Sequence, residues 1–235
     1  MFEPFSSSRR TRYGNRSSCS PTGAYTRQGT LKGNVLIKHY LTDFDWAKNA
    51  LAAEDYRRFQ DVVHIFEKFG KQYGVDYLMV AAQGYQESRL DQGARSRAGA
   101  IGIMQLLPRT AAGANVGMPD ISTAESNIHA GVKYLDFIRN RYFSDPAMDR
   151  FNQTMFAFAA YNAGPARVRG LRHKAAQQGY DPNVWFDNVE IIAAKEIGRE
   201  TVEYVANILK YYVAYRLSIQ QKLERQKIRS QVGIE

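Results

Sequence analysis

DYLMVAAQGYQESRL, residues 76–90, opens on a run of apolar side chains and closes around an acid, Glu87. The run is apolar on more than one side, which predicts a helix largely enclosed by other helices rather than one with a single buried stripe. At about 100° per residue, Leu78, Ala82 and Tyr85 share one stripe. Glu87 falls roughly opposite, near Val80, Gln83, Gly84 and Asp91. An exposed Glu is the ordinary outcome for such a position. Its neighbours argue otherwise, because Val80 and Gly84 are odd company on a solvated face. Gly84 costs a helix about 1 kcal/mol relative to Ala, so something is expected to approach closely there. Glu87 also stands in the last turns of its helix, where the macrodipole disfavours a carboxylate and raises its pKa. That direction suits a general acid working near neutral pH.

Outward from this segment the pattern is helical almost throughout. Upstream, Phe59, Val62, Val63, Phe66 and Phe69 recur at three- and four-residue steps from Glu54, and Gly74 ends the run. Downstream, GARSRAGAIGIMQLL (93–107) is rich in Gly without a steady period, which predicts a loop or a small irregular β ribbon. Pro108 opens a short helix. Ser122 with Glu125 reads as a capping box for a helix carrying Ile128, Val132, Leu135, Ile138 and Tyr142. FNQTMFAFAAYNAGP (151–165) is a further apolar helix stopped by Gly164 and Pro165, and 166–178 reads as helical and basic. Asp181-Pro182-Asn183 is a turn. A long helix over 200–225 places Val202, Val205, Ile208, Leu209 and Tyr212 on one side. The expected fold class is all-α, with a short irregular or small β loop around 93–107. The expected organisation is a disordered basic tail (1–30), a linker or short helix (31–53), one domain (54–217) and a basic helical tail (218–235).

The net charge of +9 is carried mostly by the ends. Residues 1–30 hold five Arg and one Glu, and 216–235 hold five Lys/Arg and two Glu, which leaves +2 for 31–215. A near-neutral middle argues against a nucleic-acid-binding domain, since phosphate contacts need clustered Lys and Arg on the folded surface. The single cysteine, Cys19, allows no intrachain disulfide and does not fix the compartment. His39, His64, His129 and His173 have no metal-ligand spacing, so no metal is expected. No stretch has the length of a membrane span, and no apolar segment of a secretory signal is visible.

Three motifs occur in order: QESRLDQGARSRAGAIGIMQLLPRTA, then AFAAYNAGPARV, then EIGRETVEYVANILKYY. Together they resemble the catalytic domain of family 1 lytic transglycosylases, the soluble-lytic-transglycosylase (SLT) type with a lysozyme-like fold. Within these the resemblance is to the membrane-bound lytic murein transglycosylase F-like group, over roughly residues 54–217. It implies that Glu87 is the single catalytic acid, with Ser88 orienting it or the sugar. Gly102, Met104 and Gln105 would line a glycan groove, Tyr161 and Asn162 the wall opposite the acid, and Tyr204 would lie close by. Each has a plain structural alternative: backbone bonding for Ser88 and Gln105, core packing for Met104 and Tyr204, turn stabilisation for Tyr161 and Asn162.

The resemblance further implies cleavage of the bond between N-acetylmuramic acid and N-acetylglucosamine without water. Glu87 would protonate the bridging oxygen, then take the proton of the muramoyl 6-hydroxyl as it closes a 1,6-anhydro ring. No cofactor is needed, and the partner is the peptidoglycan glycan strand. Localisation in the periplasm or at the outer-membrane periphery follows from the resemblance alone, and peripheral membrane or envelope association is compatible with it. A hydrolytic muramidase on the same fold would need a second acid to hold water. The acid nearest in sequence is Asp91, which reads as a helix-end residue. An inactive peptidoglycan-binding protein is a further alternative.

Overall fold

The computed structural model describes residues 52–232. The expectations for 1–30 and for nearly all of 31–53 lie outside the described residues. Eight α-helices are seen among the described residues: α1 (Ala53–Tyr73), α2 (Tyr77–Ser88), α3 (Pro108–Ala112), α4 (Ala124–Tyr142), α5 (Arg150–Ala163), α6 (Pro165–Gln177), α7 (Glu190–Ile197) and α8 (Glu200–Val232). A kinked turn, Trp185–Val189, leads into α7.

The core is built around α2. Its residues Leu78 to Tyr85 are buried without a break, as a segment apolar on several faces requires. It packs between α1 and α8, while α4, α5 and α6 extend the bundle on the far side. Asp76 caps its start, accepting from the Leu78 N–H at 3.0 Å, and the Tyr212 hydroxyl of α8 donates to the same carboxyl. Its end is a left-handed cap in which Arg89 and Leu90 both have positive φ (54° and 60°). Two such residues in succession, neither of them Gly, cost backbone energy that the surrounding packing must repay. Leu90 is buried against Gly84, whose missing Cβ also admits the Ile103 side chain and the Phe66 ring. The close approach expected at Gly84 is therefore present.

The expected β ribbon is not. Among the described residues there is no β-strand; segment 93–107 holds only isolated bridges, Arg95 with Ile101 and Ile101 with Leu106. The reason is local. Gly99, Gly102 and Gln105 all have positive φ, so each pairing lasts one residue before the chain turns again. The result is a stack of tight turns folded against the end of α2. The cap of α4 also differs from the sequence reading. Thr123 and Ser126, not Ser122 and Glu125, form the capping box. Glu125 is turned away by an ion pair with Lys68 of α1 at 2.6 Å. The helix α7 had no counterpart in the sequence reading.

The last helix runs unbroken for 33 residues, about 50 Å. Its buried positions end at Tyr215, and residues 220–230 are exposed. Among the described residues no helix is long and apolar enough to cross a membrane.

Candidate active site

Glu87 is half-buried at the last turn of α2. One carboxylate oxygen, Oε1, accepts a 2.6 Å hydrogen bond from the Tyr204 hydroxyl of α8. That phenol oxygen in turn accepts from Gln83 Nε2 at 3.2 Å. Gln83 and Glu87 are one helical turn apart, so both lie on the side of α2 that faces Tyr204. Burial pushes the Glu87 carboxyl up to about 7, and the Tyr204 hydrogen bond pulls against that rise. No cation and no second acid contributes to the shift. The Tyr204 and Tyr161 phenols are both held well above their ordinary value, by burial first and then by the Glu87 charge. They are neutral donors at any physiological pH.

Tyr204→Phe removes the one contact that favours the charged form of Glu87. The carboxyl should then titrate still higher than about 7, which carboxylate-carbon NMR of the labelled protein would read. An unchanged midpoint would mean the phenol does not set it.

Tyr161, from α5, donates its hydroxyl to the Met104 carbonyl at 2.8 Å, so it ties the turn-rich loop to the helix behind it. Met104 itself is fully buried, its side chain packed on Gly131 of α4, and its polar contact with Tyr161 is made by backbone. Ser88 lies beside Glu87 in sequence but spends its hydroxyl elsewhere. It donates to the Gly84 and Ile103 carbonyls and accepts from the Asp91 N–H. Gln105 donates to the Gly102 carbonyl at 2.9 Å within its own turn. Gly102, at φ 77°, sits where a Cβ would collide with the Asn127 side chain. Asn162 is exposed, and its side-chain oxygen accepts from Thr201 at the start of α8. Glu87, Tyr204 and Tyr161 are thus brought together. Ser88, Gly102, Met104 and Gln105 build the loop beside them, and Asn162 joins α5 to α8.

Three fasteners were not singled out from sequence. Asn127 of α4 is fully buried and clamps the loop from both sides. Its Nδ2 donates to the Ile101 carbonyl at 2.9 Å, and its Oδ1 accepts from the Met104 N–H at 2.8 Å. Gln92 reaches the Ile121 and Ser122 carbonyls with its amide nitrogen and accepts from the Ile103 N–H. Gln83 is the third. The available signal for Asn127 was its setting, next to Ala130-Gly131, small residues that let a loop backbone approach a helix.

Asp91 is exposed, and its carboxylate accepts from the Gly93 N–H at 2.8 Å. Among the described residues no group of three or more His, Cys, Asp or Glu could hold a metal ion. The site as built is one carboxyl, its pKa raised by burial, facing two neutral phenols.

The Transglycosylase SLT domain family matches residues 64–184. Membrane-bound lytic murein transglycosylase F of Desulfosudis oleivorans is 37% identical over 161 residues, covering 63% of this chain and 35% of that protein. Membrane-bound lytic murein transglycosylase F 1 of Alkalilimnicola ehrlichii is 33% identical over 204 residues, covering 79% of this chain and 40% of that protein. Among solved structures, an inactive mutant of lytic transglycosylase Slt from Pseudomonas aeruginosa aligns with 26% identity and a TM-score of 0.50, over 80% of this chain and 28% of that one. The 70 kDa soluble lytic transglycosylase of Escherichia coli, at 24% identity and a TM-score of 0.52 over 80% of this chain and 31% of that one, shares the fold. The chain spans 35–40% of the length of these two membrane-bound relatives. With Glu87, the GIMQLL loop and the AYNAGP turn all inside the matched segment, the chain belongs to the Transglycosylase SLT domain family.

Proposed function

We propose that residues 54–217 form a lytic transglycosylase domain acting on peptidoglycan glycan strands. It would cleave the β-1,4 bond between N-acetylmuramic acid and N-acetylglucosamine and leave a 1,6-anhydromuramoyl end. The observation that carries this reading is a lone carboxyl raised to about 7, with no second acid contributing to its environment. A hydrolase working through two carboxylates needs one to donate a proton and another to act on water or on the anomeric carbon. Here one group does both jobs in sequence. Protonated Glu87 gives its proton to the bridging oxygen as the glycosidic bond breaks. The resulting carboxylate takes the proton of the muramoyl 6-hydroxyl, whose oxygen closes on the anomeric carbon, so Glu87 ends as it began. A pKa near the working pH suits a group that must be acid and then base. The internal hydroxyl brings its own high effective concentration. Tyr204 would steady the carboxylate between the two transfers, and Tyr161 and the 101–105 loop would form the wall against the sugar.

The pH dependence follows. The starting form is protonated, so kcat/KM should hold at acid pH and fall as pH rises through about 7, approaching tenfold per unit well above it. A rate that climbs through pH 7–8 would contradict a protonated Glu87 as the starting state. Mass spectrometry of digested sacculi tests the reaction itself. Anhydro-ended muropeptides are the expected product. Reducing ends alone would make the protein a muramidase. The names of the membrane-bound relatives support a place at the cell envelope, and we take the periplasm or outer-membrane periphery as the finer assignment.

A further inference from the structure

Gln83 is the one amide in the buried stretch of α2 from Leu78 to Tyr85, and it is wholly enclosed. Its Nε2 donates to the Tyr204 phenol oxygen at 3.2 Å, while its Oε1 has no hydrogen-bond partner among the described residues. A buried amide oxygen left unpaired is costly, and an apolar side chain of the same length would avoid that cost. Packing therefore does not account for the amide, but its donor end does. A phenol has one proton to give, and an amide nitrogen can only donate. Tyr204 must therefore accept from Gln83, and its own proton is left for Glu87 Oε1, 2.6 Å away. With the amide turned round, Tyr204 would either give its proton to Gln83 or set its lone pairs against the amide oxygen. Both arrangements work against an ionised Glu87.

The two oxygens of the Glu87 carboxyl are consequently unlike. Oε1 receives the Tyr204 proton, and a second proton does not fit between two oxygens 2.6 Å apart. Oε2 bonds to none of the described residues. Tyr161, the other phenol at the site, has committed its proton to the Met104 carbonyl. Tyr204 of α8 and Tyr161 of α5 are the titratable groups that sense the Glu87 charge, and neither brings a charge of its own. Oε2 is thus the oxygen left to carry the proton of the acid form.

We propose that Gln83 is a positioning residue for the reaction. By fixing the direction of the Tyr204 proton it keeps the Glu87 proton on Oε2, so that both transfers, to the bridging oxygen and from the muramoyl 6-hydroxyl, pass through that one atom. The proposal rests on the glycan-cleaving reading given above. Without the amide, the phenol is free to turn its proton aside, and Glu87 can carry its own proton on Oε1 and donate it to Tyr204. In that form the acid proton faces the phenol and not the sugar.

The test is a double-mutant cycle on Gln83→Met and Tyr204→Phe. Met matches Gln in length and lacks both the donor and the unpaired oxygen, so the variant should melt no lower than wild type. Should it fold poorly, Gln83→Leu is carried through the same cycle. With Tyr204 in place, Gln83→Met should raise the Glu87 midpoint in carboxylate-carbon NMR by about half a pH unit, because a phenol that no longer accepts a hydrogen bond is a weaker donor. Well below pH 7, where Glu87 is protonated in every variant, kcat should fall about tenfold with KM unchanged. In the Tyr204→Phe background Gln83→Met should move neither quantity further, since Gln83 then has no phenol to act on. Equal changes in both backgrounds, or no change in either, would overturn the proposal. If wild type cleaves no glycan, the glycan-cleaving reading fails, while the NMR cycle still decides whether Gln83 acts on Glu87 through Tyr204.

Discussion

Glu87→Gln should lower turnover of peptidoglycan by about 10³-fold and at the same time make the protein more stable above pH 7. The amide keeps the shape and can still accept from Tyr204, but it can neither give nor take the proton. The stability gain follows from proton linkage. An ordinary glutamate carboxyl titrates at 4.5, and in the folded protein Glu87 is raised to about 7. Between those values the folded state holds more protons than the unfolded state, so stability falls as pH rises from about 4.5 through 7 and stays lower beyond it. The loss is up to about 3 kcal/mol for a shift of this size. Gln carries no such charge. Its melting temperature should therefore match wild type near pH 4.5 and exceed it by roughly 5–10 °C at pH 8. An activity that survives the substitution would remove Glu87 from the proposed mechanism. An equal melting temperature at pH 8 would mean the carboxyl is better solvated than its position at the helix end indicates.

The second large effect is expected at Asn127, which touches no proposed reacting group. Asn127→Ala leaves the Ile101 carbonyl and the Met104 N–H without partners at a buried position. Two unsatisfied backbone groups and a small cavity cost about 3 kcal/mol or more, which corresponds to a drop of roughly 6–12 °C in melting temperature. The loop between Arg95 and Leu106 should loosen first, visible as faster amide exchange at Ile101 to Met104 than in α5. Because Tyr161 bonds the Met104 carbonyl, activity should fall with the loop even at temperatures where the protein remains folded. Asn127→Asp is the informative companion. It keeps the acceptor for Met104 but, when ionised, turns an oxygen towards the Ile101 carbonyl, so it should be better tolerated at low pH than at neutral pH. Uniform exchange across loop and helices would mean the clamp is dispensable.

The helices were legible because their residues obey one period over long stretches. Phe59, Phe66 and Phe69 in α1 and the unbroken apolar run in α2 point to the core from sequence alone. The special position of Glu87 was legible through Gly84, whose missing side chain is filled by Ile103, Leu90 and Phe66. Segment 93–107 misled because Gly-rich loops and thin ribbons share a composition, and only the alternating signs of φ distinguish them. The α4 cap misled because Thr123 and Ser122 both serve as caps locally, and Glu125 pairs instead with Lys68, 57 positions away. Ser88 entered through the resemblance, as a group orienting the acid or the sugar; its hydroxyl bonds the Ile103 carbonyl of the loop, a partner that no local pattern announces. Gln83, Gln92 and Asn127 stayed hidden for a common reason. A buried amide earns its place through partners far away in the chain, and no local pattern announces those partners.

The bonds among Gln83, Tyr204 and Glu87 join two neutral side chains to one acid, with no cation beside it. Dissolved ions weaken attractions between charges, but they do little to a desolvation penalty or to a short bond from a phenol. The proton affinity of Glu87 should therefore be nearly the same in dilute buffer as at the ionic strength of seawater, and the fall in kcat/KM above about pH 7 should not shift as the surroundings become saltier.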